Sequence, residues 1–372
     1  MYRLCIIDPV WTRYRLPVFE ELSRRCKVDW VFSPSRAYGA VSRSEAPDFR
    51  YIEVKMLSSF GGKNGMFQCG LVKYMLREKP DAIKMFANPR YLSFWTTLFA
   101  ARMLRIPFYA HGVAFFKRRE IGIGRRLMMR LILRFVTSYI AYAPIVRESL
   151  AAQGFDVDKV SVVPNSLLNR FTVPPVKKNG KERGILFVGR LRRGSGLSLL
   201  LRVMERLKKE GNFPFTLHVV GDGEEAEELR REAAGCIWVS WHGAASDIEL
   251  SEISRECLFG CYPGSAGLSV VHMMSLSLPV IIHNDLSSHE GPEPSYVRDR
   301  VNGLLYERYS PEQSLYQLLQ RVAADPGQLS TMQRASFEEY RHLTTPSYAE
   351  RLWSIMSGTD LSIEESLSAA NS

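Results

Sequence analysis

The 372-residue sequence contains no long uninterrupted apolar run. The nearest approach, Leu127 to Val146, is cut by Arg130 and Arg134 and carries Thr137, Ser138 and Pro144, which excludes a spanning helix there. Asp8 and Arg13 interrupt the first apolar run, so a secretory leader is not expected. The six cysteines (Cys5, Cys26, Cys69, Cys236, Cys257, Cys261) include no Cys-x-x-Cys pair, and several lie in apolar runs. Buried, reduced thiols of a cytosolic protein are expected, with no zinc site. No Asp-x-Asp metal site is expected either. No basic stretch interleaved with aromatics suggests a nucleic-acid partner.

What is present is ordinary in bulk and uneven in charge. Hydrophobic residues make up 46% and charged residues 24%, enough for two domains with their own cores. Residues 1–170 hold 28 Lys and Arg against 13 Asp and Glu, while the remainder holds 21 against 26. A basic first half implies a polyanionic partner for that half alone, and an anionic membrane surface or phosphate-bearing lipid fits best.

Strand-like runs at 3–7, 28–33, 51–55, 82–86, 107–110, 138–142 and 160–164 alternate with helical stretches, which predicts a doubly wound parallel sheet. The loop after the first strand carries Arg13 and Arg15, as phosphate contacts for an acceptor or as solvated surface charges. The glycine-rich loop 58–65 is either an acceptor loop or a plain connector. His111 closes a strand, where it either serves the site or caps backbone carbonyls. From Phe115 to Val136 seven cations face one acid, Glu120. Arg126, Arg130 and Arg134 recur every four residues, the pattern of a helix lying on an anionic membrane or of a solvated domain helix. The polar, Pro-rich segment 169–183 reads as a linker.

The second half is organised around Cys257 to Asn284, read as strand, turn, helix and strand. Its turn, Pro263-Gly-Ser-Ala-Gly267, feeds a helix and offers Ser265, Ala266, Gly267 and Leu268 as a phosphate cradle. Arg190 and Arg193 follow the strand Gly184–Val188, and their planar forks suit a diphosphate. Asp222, Glu224 and Glu225 put carboxylates into Gly221-Asp-Gly-Glu-Glu-Ala226, which argues against a pyrophosphate there. A turn near a nucleoside base fits Gly221 and Gly223 better.

Gly-Arg-Leu191, the Gly-Asp-Gly223 turn, the Gly-Ser-Ala-Gly-Leu268 turn, Pro-Val-Ile281 and Gly-Leu-Leu305 together resemble the donor half of retaining glycosyltransferases of family 4. The resemblance covers roughly residues 1–306. It implies a GT-B fold, two Rossmann-like α/β domains facing across a cleft: 1–168 for the acceptor, completed by 347–372, and 184–346 for the nucleotide sugar. It implies catalytic roles for His111 and Arg190, with Gly221, Gly223, His242 and His272 around the nucleoside. No cofactor or metal is expected besides the nucleotide sugar. The implied acceptor is a lipid-linked glycan, and the implied location is cytoplasmic, peripheral at the inner membrane face. Two departures stand out: Gly264 and His272 occupy the positions of the family's glutamate pair, and Ser195 that of its lysine. Members acting on bacterial surface polysaccharides resemble the chain more closely, sharing a late His-x-x-Pro-Glu, here His289 to Glu293. An alternative is a lapsed, glycosyltransferase-like binding or scaffold subunit.

Overall fold

A computed structural model describes residues 1–10, 15–33, 48–58, 66–118, 120–175, 182–211 and 213–359. Arg13 and most of the 58–65 loop lie outside the described residues. The chain divides into two compact units, Met1–Pro164 with Pro346–Ser372, and Asn165–Thr345.

The first unit runs β1 (Arg3–Val10), α1 (Leu16–Ser23), β2 (Lys27–Ser33), β3 (Arg50–Glu53), β4 (Met56–Ser58), β5 (Met66–Gln68), α2 (Leu71–Glu78), β6 (Ala82–Phe86), α3 (Leu92–Leu104), β7 (Phe108–Gly112), α4 (Ile123–Phe135), β8 (Ser138–Ala141), α5 (Pro144–Ala152) and β9 (Val160–Val162). Seven strands pair in the order β3-β2-β1-β6-β7-β8-β9, every pairing parallel, while β4 and β5 form a separate antiparallel ribbon. Successive residues of β1 feed opposite cores. Leu4 and Ile6 pack with Phe19 and Trp30, whereas Cys5 and Ile7 pack with Ile83, Phe94 and Ile132. A strand buried on both faces needs apolar residues throughout, which is why β1 reads as a continuous run.

The second unit runs β10 (Gly184–Val188), α6 (Leu197–Lys209), β11 (Thr216–Val220), α7 (Ala226–Glu232), β12 (Val239–Gly243), α8 (Asp247–Arg255), β13 (Cys257–Cys261), α9 (Ser269–Ser275), β14 (Val280–His283), β15 (Gly303–Tyr306), α10 (Pro311–Ala324) and α11 (Gln328–Thr344). Its parallel sheet, β12-β11-β10-β13-β14-β15, has the strand order of a dinucleotide-binding fold. Strand order reverses between β1 and β6 in the first unit and between β10 and β13 in the second. Ligands of doubly wound sheets bind outside the carboxyl ends of strands at such a reversal.

The final helix, α12 (Tyr348–Ser357), returns to the first unit. Ser347 and Glu350 form a capping box that starts it, and Tyr348, Ala349, Leu352 and Met356 enter the core beside α1. The stretch read as a linker is bonded to the second unit over its first part. Asn169 Nδ2 donates to Ser275 Oγ at 2.8 Å, and Val173 N donates to Ser275 O at 3.1 Å. Side-chain amides and backbone groups that find partners on a helix hold a polar segment as firmly as a regular element would.

The basic helix α4 also differs from a uniform arginine stripe. Its core face is Met129, Ile132 and Leu133. Arg126 turns inward: Nη1 donates to Gln153 O at 2.6 Å and the guanidinium lies over the Phe155 ring. Arg130 and Arg134 remain exposed. A guanidinium that finds a carbonyl and a ring within its own unit is no longer available to a surface partner.

Candidate active site

In the second unit, the strand-order reversal brings two turns together, Gly189–Gly196 after β10 and Tyr262–Leu268 after β13. They meet backbone to backbone: Gly264 N donates to Ser195 O at 3.1 Å and Ser265 N donates to Gly194 O at 2.9 Å. Ala266 N donates to His289 Nδ1 at 3.2 Å. The amides of Ser265 and Ala266 are therefore consumed inside the protein, contrary to the expected cradle. Among the described residues, the amides of Gly267 and Leu268 make no such bond and stay available to an anion.

His289 is fully buried and fixed in one tautomer. Because Nδ1 accepts from Ala266, Nε2 carries the proton and donates to His283 O at 2.9 Å. Its ring stacks on His283 at 3.8 Å between centroids. Burial, with His289 and the Arg308 charge adding, pushes His283 down to about 3. Replacing His289 by Ala strands a buried N–H and a buried C=O. The expected outcome is a loss of about 1–3 kcal/mol, read by denaturant titration, with faster exchange of the Ala266 amide proton. Unchanged exchange at Ala266 would remove His289 from the turn.

The arginines divide differently from expectation. Arg190 Nε pairs with Glu224 Oε2 at 3.4 Å, both half exposed, a pair worth at most about 1 kcal/mol. Arg193 is exposed and has no ion pair with a described residue. The guanidinium that touches the turn is that of Arg192, whose Nη2 donates to Ser265 O at 3.1 Å and pairs with Glu290. Glu293, 3% exposed, accepts from Asn165 Nδ2, and its other carboxylate oxygen lies 3.9 Å from where a Cβ on Gly267 would stand. The sequence reading did not single out Arg192, Glu293, Asn165 or His289 as site residues. The Arg-Arg pair and the late His-x-x-Pro-Glu were the available signals.

Around the expected nucleoside positions, Gly221 N donates to Gly243 O at 2.7 Å, and a Cβ on Gly221 would fall 1.9 Å from Gly189 O. Gly221 and Gly223 thus shape the turn that carries Arg190. His242 is exposed and stacks on His218, with Nε2 3.2 Å from His218 Nδ1. His272 Nε2 is 3.7 Å from Asp247 Oδ1 without a hydrogen bond to a described residue. Burial, opposed by Asp247, pushes its pKa down, which keeps the imidazole neutral and able to accept.

In the first unit, Asp8, Lys84 and His111 come from β1, β6 and β7. Asp8 Oδ2 accepts from Trp30 Nε1 at 3.1 Å, and Oδ1 is 3.4 Å from His111 Nε2. His111 Nδ1 lies 2.5 Å from the Tyr142 hydroxyl. The ring is 3% exposed, so both its nitrogens face residues of its own unit. His111 was expected either to serve the site or to cap backbone carbonyls; its nitrogens instead meet Asp8 and Tyr142, and Tyr142 is the group nearer solvent. Burial pushes His111 down to about 3, with Lys84 adding and Asp8 opposing, so the ring is neutral. Burial would raise Asp8, but Lys84, His111 and Arg15 outweigh it and hold the carboxyl at about 2. Arg15 is buried, its guanidinium over the rings of Tyr142 and Tyr348, which settles the expected choice against a solvated surface charge. The chain's one Asp-x-Asp spacing, Asp156 to Asp158, serves a local turn in which Asp156 Oδ1 accepts from Asp158 N at 2.9 Å.

Residues 170–340 match the family model described as glycosyl transferases group 1. These residues form a glycosyltransferase group 1 domain. The two arginine- and glycine-bearing turns lie inside it. A lipopolysaccharide 1,6-galactosyltransferase of Salmonella typhimurium is 24% identical over 177 residues, 45% of this chain. The chain spans about half, 47%, of that relative's length. Among solved structures, Anabaena HepE in complex with UDP superposes with a TM-score of 0.69 at 16% identity, covering 99% of this chain and 100% of HepE. The lipopolysaccharide outer core galactosyltransferase WaaB in its apo form gives 0.67 at 14% identity, covering 97% and 100%. These likenesses show the fold, GT-B, with the group 1 domain as its second Rossmann-like unit.

Proposed function

We propose that the protein is a retaining hexosyltransferase that moves a sugar from a UDP-linked donor to a lipid-linked or growing glycan of a cell-surface polysaccharide. The observation that carries this reading is the group 1 match on the very unit whose strand-order reversal bears Arg190, Arg192, Arg193 and two unbonded amides. The names of the relatives, two lipopolysaccharide galactosyltransferases and a UDP-binding protein, support the donor and acceptor classes.

As the sugar leaves, negative charge builds on the diphosphate. The Gly267 and Leu268 amides and the arginine cations answer that charge without a metal ion. Neutral His272 accepts from a ribose hydroxyl. Buried Asp8 and His111 hold Tyr142 for the acceptor side. Among the described residues no helix is long and apolar enough to cross a membrane, and the reading places the protein peripherally on the inner face.

Purified full-length protein incubated with UDP-sugars and a chelator should release UDP, and Arg190→Ala should lower that release about 10- to 100-fold. A parent protein that binds no UDP-sugar and releases no UDP overturns the reading. Binding without release would instead favour the lapsed subunit, for which Gly264 in place of a glutamate speaks.

A further inference from the structure

We propose that the outer faces of α3 and α4 form a lipid-docking surface whose basic pocket receives the phosphate headgroup of an anionic membrane lipid. The proposal rests on the peripheral-membrane reading above and turns a general attraction into a defined site.

Both helices present apolar side chains to water in helical register. Leu92, Phe99 and Met103 are exposed on α3, Met103 at 84%, and Ile123, Leu127 and Leu131 on α4, Ile123 at 87%. The helices pack on each other through Phe99 and Phe135, whose rings meet edge-on at 5.5 Å. Apolar residues scattered singly on a surface need no explanation, but two neighbouring helices with outward apolar stripes do.

Cations flank these stripes. A cavity of about 550 Å³ between the carboxyl-terminal ends of the two helices is lined by Arg102, Arg105, Arg134 and Lys159, and by no acid. A smaller cavity of about 390 Å³ shares Arg134 and Lys159 and adds Arg130, with Asp156 as its acid. None of Arg102, Arg105, Arg134 and Lys159 forms an ion pair with a described residue. Lys159 Nζ sits 3.4 Å from Val136 O and 3.5 Å from Arg134 O, drawn in by the carbonyls at the end of α4. Four cations converge on a cavity that no acid lines, a charge distribution that favours an anion there.

Apolar side chains flanked by arginines and lysines match a membrane interface, where acyl chains lie below and phosphates at the level of the cations. Nucleic acid would satisfy the cations but would leave Met103, Ile123 and Leu127 in water. The excess of Lys and Arg in residues 1–170 acts in the same direction over a longer range.

The test is co-sedimentation with vesicles of phosphatidylethanolamine and phosphatidylglycerol, against vesicles of phosphatidylcholine. The parent should bind the anionic vesicles only. Arg105→Gln/Arg134→Gln should weaken that partitioning roughly 30-fold, from about 1 kcal/mol per surface cation. Met103→Ser/Leu127→Ser should weaken it as well. Arg255→Gln/Arg321→Gln removes the same charge from exposed sites of the other unit and should change binding by less than about threefold. All replaced cations are exposed, so thermal midpoints should match the parent's. A pocket variant that partitions like the matched control, or a parent that binds both vesicle types alike, overturns the site. UDP release without vesicles is measured in parallel and should be unchanged in the pocket variant. If the parent releases no UDP, the transferase reading falls while the vesicle comparison still decides the lipid site.

Discussion

Replacing Asp8 by Ala is expected to destabilise the first unit by about 3–5 kcal/mol near neutral pH, the cost of leaving buried charge without its partner. Asp8 is 9% exposed, Lys84 2% and Arg15 5%, and this carboxylate is coupled to both cations. It also accepts from the Trp30 indole and lies against His111. Burial pushes Lys84 down from 10.5 to about 8 even with Asp8 pulling it up. In Asp8→Ala that pull is gone and the lysine falls further.

The sign of the pH dependence follows from proton counts. Between its folded and unfolded pKa values Lys84 binds fewer protons in the folded state, so stability rises with pH across that window. The Asp8→Ala deficit should therefore be largest near and below pH 7 and shrink as pH rises through about 8, above which Lys84 is neutral in both folded proteins. His111, held near 3 against an ordinary 6.5, works likewise: acidification from 6.5 toward 3 costs the parent stability. Asp8→Asn keeps an acceptor for Trp30 but not the charge, and should recover only part of the loss. Adding Lys84→Met to Asp8→Asn should recover most of the rest. Guanidinium titrations at neutral and alkaline pH decide the matter. Equal stability of Asp8→Ala and the parent, within about 1 kcal/mol, would show that the cations need no counter-charge.

The second large effect is steric. Gly264→Ala should cost the second unit roughly 3 kcal/mol or more, while Gly267→Ala on the same turn should cost less than about 1 kcal/mol. A Cβ on Gly264 would stand 2.1 Å from Gly194 O, 2.4 Å from Ser195 C and 2.6 Å from Gly196 N. All three are backbone atoms of the facing turn, so no rotamer relieves the contact. A Cβ on Gly267 meets only Glu290 and Glu293 side-chain atoms at 3.7 and 3.9 Å, ordinary contact distances. Chemical denaturation of both variants measures the difference, and similar midpoints for the pair would refute the close approach. The same contact explains why a glutamate cannot occupy position 264 here. Buried Glu293, reaching the turn from the segment after β14, is the acid the fold supplies beside Gly267.

The chain's order of elements was legible because the central strands are buried on both faces and the helices on one. The buried run 185–188 is apolar throughout, and α6 shows its Leu200, Leu201, Met204 and Leu207 spacing directly. The helix expected between the turn and the next strand is observed over 269–275, its ends set by capping rather than by pattern. The placement of Arg190 and the glycine turns at strand ends was readable for the same reason.

Contacts between elements distant in the chain were not readable. Arg126, Arg130 and Arg134 are equivalent in periodicity, yet only Arg126 meets Gln153 and Phe155 and turns inward. His111 looked free at a strand's end until β1 and β8 brought Asp8 and Tyr142 to its two nitrogens. Sequence by itself determined the alternation of strands and helices, the charge asymmetry and the residue types at each turn, because these follow from local pattern and composition. Tertiary structure alone decided which amides of the turn remain open, which arginine touches it and which charges are buried together. Those properties depend on sheet order and on side chains tens of residues apart, and neither has a local signature.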